Sequence, residues 1–257
     1  MRTARIASII ALEALREQWK NRFFQLVVIF SGVLLYAALL LGAMAVEQER
    51  RVLLDFGQGL IELAGLASVV LGCAYAVLRD METKTIYLIL SRPVPRRAYI
   101  AGKYAGILLG AACAMACMAA LHILLLKFRG AAPGAGYAAI IFSSWLKAAV
   151  AGALTVLVSL ISTSALSALS MAGIFWTLGH FTQELRFISS RLSPAAALLS
   201  KPLIWIIPDM GLLNLRDAYA AASAAAPAWG MIVGYSAVYS LVCLALASFI
   251  FSRKEFC

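Results

Sequence analysis

Residues 80–103 read Asp-Met-Glu-Thr-Lys-Thr-Ile-Tyr-Leu-Ile-Leu-Ser-Arg-Pro-Val-Pro-Arg-Arg-Ala-Tyr-Ile-Ala-Gly-Lys, a charged, proline-marked island between two long apolar stretches. Ionisable side chains this dense are costly in lipid, so the connection stays in water, and its excess of Lys and Arg puts it on the cytoplasmic side. Asp80 and Glu82 near a helix start are favourable with the helix dipole, whereas Pro93 and Pro95 end whatever precedes them. A short helix joined rigidly to two spans is a docking surface through which motion outside the membrane tilts the helices inside it.

On both sides of the island the chain is lipid-like. It is 63% hydrophobic and only 13% charged, with a mean hydropathy of +0.90, where a soluble domain carries about 25% charged residues. Apolar runs at 23–46, 59–78, 99–126, 144–161, 165–181 and 228–251 predict six spans of about 20 residues each. The expected fold is all-α, a single polytopic domain over 1–257. Thirteen of the 22 basic residues fall in three groups: Arg2, Arg5, Arg16, Lys20 and Arg22; Arg79, Lys84, Arg92, Arg96, Arg97 and Lys103; and Arg253 with Lys254. Six crossings put all three on one side, so both termini are expected in the cytoplasm. The net charge of +10 gathers at the ends of apolar segments, where it meets lipid headgroups, and does not point to nucleic acid.

Within residues 1–22, Ile6, Ile9, Ile10, Ala14 and Leu15 oppose Arg5, Glu13, Arg16, Glu17 and Lys20 at helical spacing, which predicts an amphipathic helix on the inner membrane surface and no removable signal peptide. The segment 79–98 is the cytoplasmic connection between spans two and three. On the outer side, polar residues at 47–55 and 127–137 form short loops. In 182–227, Leu198, Leu199, Leu203, Ile204, Trp205, Ile206 and Ile207 alternate with prolines in runs too short to span, which predicts a cap of partly inserted helices. Span three opens with Gly102, Gly106, Gly110 and Ala114 at intervals of four. Small residues on one face let helix backbones approach closely, and the packing partner is either this chain or a second copy.

Four ionisable residues fall inside spans: Glu62, His122, Lys147 and His180. Glu62, His122 and His180 are candidates for a substrate path, while Lys near a span end can also snorkel and His can bond neighbouring helices. No acidic relay crosses the membrane centre, and no nucleophile-elbow or metalloprotease motif is present. Cys73, Cys113, Cys117, Cys243 and Cys257 suit neither a disulfide frame nor a zinc site; Cys113 and Cys117 read as small apolar residues sharing a helix face. Gly102-Lys103-Tyr104 ends like a phosphate loop but lacks the upstream glycine and the Ser or Thr that holds magnesium. No catalysis, cofactor or metal is expected in this chain.

The pattern Glu82-Thr-Lys-Thr85-Ile86, Leu90-Ser91-Arg92-Pro93-Val94, Arg96-Arg97 and Gly102-Lys103-Tyr104 resembles the membrane subunit of type-2 ABC exporters. It is most similar to the permeases of multicopper-enzyme maturation, typified by the nitrous oxide reductase accessory transporter. Gly179-His180, Ile207-Pro208-Asp209 and Asn214-Leu215 extend the likeness, while Lys84 stands where many members have glycine. The resemblance implies a six-span half-transporter of the bacterial inner membrane, two copies or a copy and a paralogue pairing with a cytoplasmic ABC ATPase dimer that holds the ATP and Mg. A periplasmic accessory protein is a further implied partner. Asp80, Met81, Glu82, Thr83, Lys84, Thr85 and Ile86 would sit in a groove of the ATPase, and Arg92-Pro93 would turn the chain into span three. The alternatives are a haem-export permease, for which two histidines are few, and a membrane scaffold without transport.

Overall fold

The computed structural model describes residues 2–20, 22–44, 49–82, 95–131, 133–134, 136–191, 206–216 and 228–253. Among them are eight helices and no strand: α1 Arg2–Lys20, α2 Arg22–Met44, α3 Glu49–Glu82, α4 Arg96–Phe128, α5 Tyr137–Ile161, α6 Ala165–His180, α7 Thr182–Arg191 and α8 Trp229–Arg253. The fold is all-α. Five of these helices, α2, α3, α4, α5 and α8, are long and apolar enough to cross a membrane.

The centre of the bundle is α5. Its apolar stretch is 83% buried, against 22% for α2 and 28% for α8, because Ala148, Ala149, Ala151, Gly152 and Ala153 leave room for neighbours on every side. Gly152 faces Val69 and Cys73 of α3, and the Tyr104 hydroxyl of α4 donates to the Ala149 carbonyl at 2.8 Å. α3 and α8 pack against α5, and α2 and α4 pack on α3. The main cluster joins Val69 and Cys73, Tyr104, Ile107 and Ala111, Ala153 and Leu154, and Cys243 with Phe251. Leu26, Ile29, Phe30 and Val33 of α2 and Val238, Leu241, Val242 and Phe249 of α8 are exposed. Apolar faces that wide match lipid and not water.

Several boundaries depart from the sequence expectation. α3 starts at Glu49, so 49–55, expected in a loop, forms its first two turns; no Gly or Pro breaks them, and Arg51 pairs with Asp55 one turn on at 3.8 Å. α5 starts at Tyr137, seven residues before the predicted span. The predicted fifth span is α6, 16 residues long, or roughly 24 Å at 1.5 Å per residue, shorter than the roughly 30 Å hydrocarbon core. The turn before α6 is capped by Ser164, whose hydroxyl accepts from the Ser167 N–H at 3.2 Å.

The N-terminal helix does not stand alone. α1 runs along the glycine face of α4, with Gly102 against Ala7 and Ile10, Gly106 against Ala11 and Ala14, and Gly110 against Leu15 and Gln18. A side chain at Gly102 would come within 2.8 Å of the Ala7 carbonyl oxygen, so the backbones touch where only glycine fits. Ala114 turns to α3 instead, beside Ile61 and Met118.

Candidate functional site

Charged residues at the two ends of the island are held by α1 and α8. On the upstream end, Arg79 approaches Glu17 of α1 at 3.5 Å, and Asp80 pairs with Lys103 at 2.8 Å while accepting from the Tyr99 hydroxyl. Lys103 also reaches Glu17 at 3.2 Å. Asp80 is 7% exposed, so its carboxylate is engaged inside the chain. On the downstream end, Arg96 donates to the Phe251 carbonyl at 2.6 Å and the Ser252 carbonyl at 3.2 Å, and its guanidinium lies over the Phe251 ring, against which Tyr99 stacks. A cation on the last carbonyls of a helix satisfies its orphan acceptors and its dipole. The last turn of α3 carries Met81 and Glu82. Thr83, Lys84, Thr85, Ile86, Arg92 and Pro93 lie outside the described residues.

A second cluster lies inside the bundle. Lys147 of α5, 3% exposed, bonds Glu62 of α3 at 2.7 Å and the Asn214 side-chain oxygen at 3.3 Å, and Ser144 donates to the other Glu62 oxygen at 3.2 Å. An isolated charge at this depth would be prohibitive, and the partners make the set tolerable. Asn214 comes from 206–216, which fits into the bundle: Met210 and Leu213 are fully buried, Met210 N–H bonds the Gly179 carbonyl at 3.0 Å, and Asp209 pairs with Arg186 at 3.1 Å while its N–H donates to the Tyr235 hydroxyl.

The two histidines belong to other sets of contacts. His122 is buried between Leu53 and Tyr137, with Nε2 at 3.2 Å from the Leu53 carbonyl and Nδ1 at 2.9 Å from the Tyr137 hydroxyl. A carbonyl only accepts, so Nε2 carries the proton, Nδ1 accepts, and the neutral ring has both nitrogens engaged. Tyr137→Phe leaves Nδ1 buried without a donor and should cost about 1–3 kcal/mol, measured as a lower unfolding temperature in detergent. His180 bonds the Trp176 carbonyl at 3.0 Å and meets the edge of the Trp176 ring. The structure thus joins Glu62 with Lys147 and leaves His122 and His180 apart from them. Sequence reading missed Glu17 as the shared partner of Arg79 and Lys103, although Ala7, Ala11, Ala14 and Gln18 repeat at the spacing that fits the glycines of α4.

Among the described residues, no group of three His, Cys, Asp or Glu side chains is placed to hold a metal ion. The sequence pattern of the ABC-2 family transporter proteins matches residues 6–256. The chain belongs to that family. ABC-2 proteins are membrane components that normally work with an ATP-binding partner and are generally not catalytic themselves. No curated protein matches the sequence closely enough to serve as a relative.

Proposed function

We propose that this chain is the transmembrane subunit of an ATP-driven exporter in the bacterial inner membrane, of the multicopper-maturation branch, moving its cargo when a cytoplasmic ABC ATPase dimer binds residues 79–98. In this reading α6 is the fifth of six crossings, reached with help from α7, both termini are cytoplasmic, and a second copy or a paralogue completes the pore. The observation that carries the proposal is the anchorage of the island's two ends: Arg79 and Asp80 at the upstream end, and Arg96, Tyr99 and Lys103 at the downstream end, are bonded to α1, α8 or each other. A connection with no mechanical duty has no need of such stiffening, whereas a transmitting element cannot work without it. Asp80 then acts as an internal bolt, and Met81, Glu82 and the residues through Ile86 face the ATPase. Glu62, with Lys147, is the best-placed pair for the cargo path, because the bond from Lys147 to Asn214 links the bundle to the segment 206–216.

The test is Glu82→Lys. Glu82 is the last residue of α3, and the variant should lose about tenfold or more in ATPase capture at an unchanged unfolding temperature, a free-energy change of the size reversing one charge at an interface produces. Unchanged capture and unchanged substrate-stimulated hydrolysis would remove the island from the coupling path.

A further inference from the structure

α8 is held at both ends by bonds to separate parts of the chain. At its Arg253 end, Arg96 grips the Phe251 and Ser252 carbonyls at 2.6 and 3.2 Å, and the Tyr99 ring stacks on Phe251 with 5.9 Å between centroids. Phe251 is buried, so the grip is on a packed point and not on a fraying terminus. Toward the Trp229 end, the Tyr235 hydroxyl accepts from the Asp209 N–H and the Tyr239 hydroxyl donates to the Ile206 carbonyl, both at 2.7 Å. These bonds catch 206–216, the same segment that brings Asn214 to Lys147.

Between the two grips the helix has no soft point. From Tyr235 to Phe251 the sequence holds neither Gly nor Pro, and Gly230 and Gly234 both come before it, so the usual causes of a kink are missing where force would pass. About 18 Å of helix separates Tyr239 from Phe251 at 1.5 Å per residue. The sides of α8 are held lightly. Its apolar stretch is 28% buried where that of α5 is 83% buried, it packs on α5 and α4, and Val238, Leu241, Val242 and Phe249 are exposed. A shift of α5 has to displace neighbours all round, whereas α8 has a lipid-like face to move against. α2 is as peripheral, but the Ser31 bond to its own Val28 carbonyl stays within the helix and ties it to neither the island nor 206–216.

We infer that α8 ties the island to the segment 206–216, so that a displacement of the Arg96 end travels along α8 and loosens or tightens the bonds to Asp209 and Ile206. Arg96, Phe251, Tyr235 and Tyr239 are the positioning residues of this tie. Coupling between two sites is reciprocal, so disturbing 206–216 also changes the hold on Phe251. The inference rests on the exporter reading only for what pushes the island; the tie itself is a property of this chain alone.

The experiment is hydrogen exchange read by mass spectrometry on the full chain in nanodiscs of phosphatidylethanolamine and phosphatidylglycerol. Arg96→Met keeps a long side chain and removes its donors. Exchange in 206–216, at the opposite end of α8, should become about tenfold faster, within the usual range of coupling between sites, while exchange in α5 stays as in the parent. Tyr239→Phe keeps the ring and removes the bond to Ile206, and exchange at 250–253 should speed up by a similar factor. Glu17→Gln disturbs Arg79 and Lys103 beside the island without touching α8, and should leave 206–216 unchanged. Unchanged exchange in 206–216 on Arg96→Met, equal acceleration by Glu17→Gln, or acceleration that extends through α5 would overturn the inference. If Arg96→Met does not fold, Tyr239→Phe decides the matter, and unchanged exchange at 250–253 counts against the tie. No ATPase enters the assay, so a negative result strikes the role of α8 and leaves the exporter proposal to the Glu82→Lys capture test.

Discussion

Lys147→Met should cost the bundle about 3–5 kcal/mol, the range for removing one partner of a buried ion pair. The Glu62 carboxylate would lose its 2.7 Å ammonium partner, keeping the Ser144 hydroxyl, and the Asn214 side-chain oxygen would lose the Lys147 ammonium. The variant is expected to show a sharply lower unfolding temperature in detergent and poor membrane yield. The double variant Lys147→Met with Glu62→Gln should recover most of the loss, because no unpaired charge is then left inside. If Lys147→Met unfolds at the parent temperature, the pair does not hold the bundle. If the double variant recovers stability but not transport in the assembled exporter, the charges serve the cargo path.

The second large effect is expected at Gly106. Its α-hydrogen faces the Ala11 backbone carbonyl, and a Cβ there would also come within 2.8 Å of the Ala14 methyl. Neither atom belongs to a flexible side chain, so Gly106→Val has to push α1 away, at a cost of about 1–3 kcal/mol or more for an overfilled contact. Ala14 is 4% exposed. With the five native cysteines replaced, a cysteine introduced as Ala14→Cys should resist a water-soluble maleimide in the parent and react readily beside Gly106→Val. Gly234→Val, at a position with open space around it, is the matched control and should leave labelling unchanged. Equal labelling in all three would mean that α1 does not depend on the glycine face.

The parts of the fold legible in the sequence were those written as one-dimensional signals. The apolar runs marked α2, α3, α4, α5 and α8, and the glycine interval marked a close helix contact. What lay beyond reach was the choice of partner. Gly102, Gly106 and Gly110 announce a groove without saying what fills it, because the answer depends on how the chain turns back after Lys20. The start of α3 at Glu49 was hidden for a different reason: polar turns that continue a helix beyond lipid have the same composition as a loop. Glu62 and Lys147 were each visible as ionisable residues in apolar surroundings, 85 positions apart, but only the packing of α3 on α5 makes them a pair. His122 looked like a candidate for the same path, and its geometry gives both ring nitrogens to Leu53 and Tyr137.

α3 and α4 contain 34 and 33 residues, roughly 50 Å each at 1.5 Å per residue, whereas the hydrocarbon core takes up only about 30 Å. Each is a rod about 20 Å longer than that core, and α1 is strapped along α4 from Gly102 to Gly110. In the proposed coupling, a sideways push at the Arg96 end would reappear, reversed in direction, at the Phe128 end.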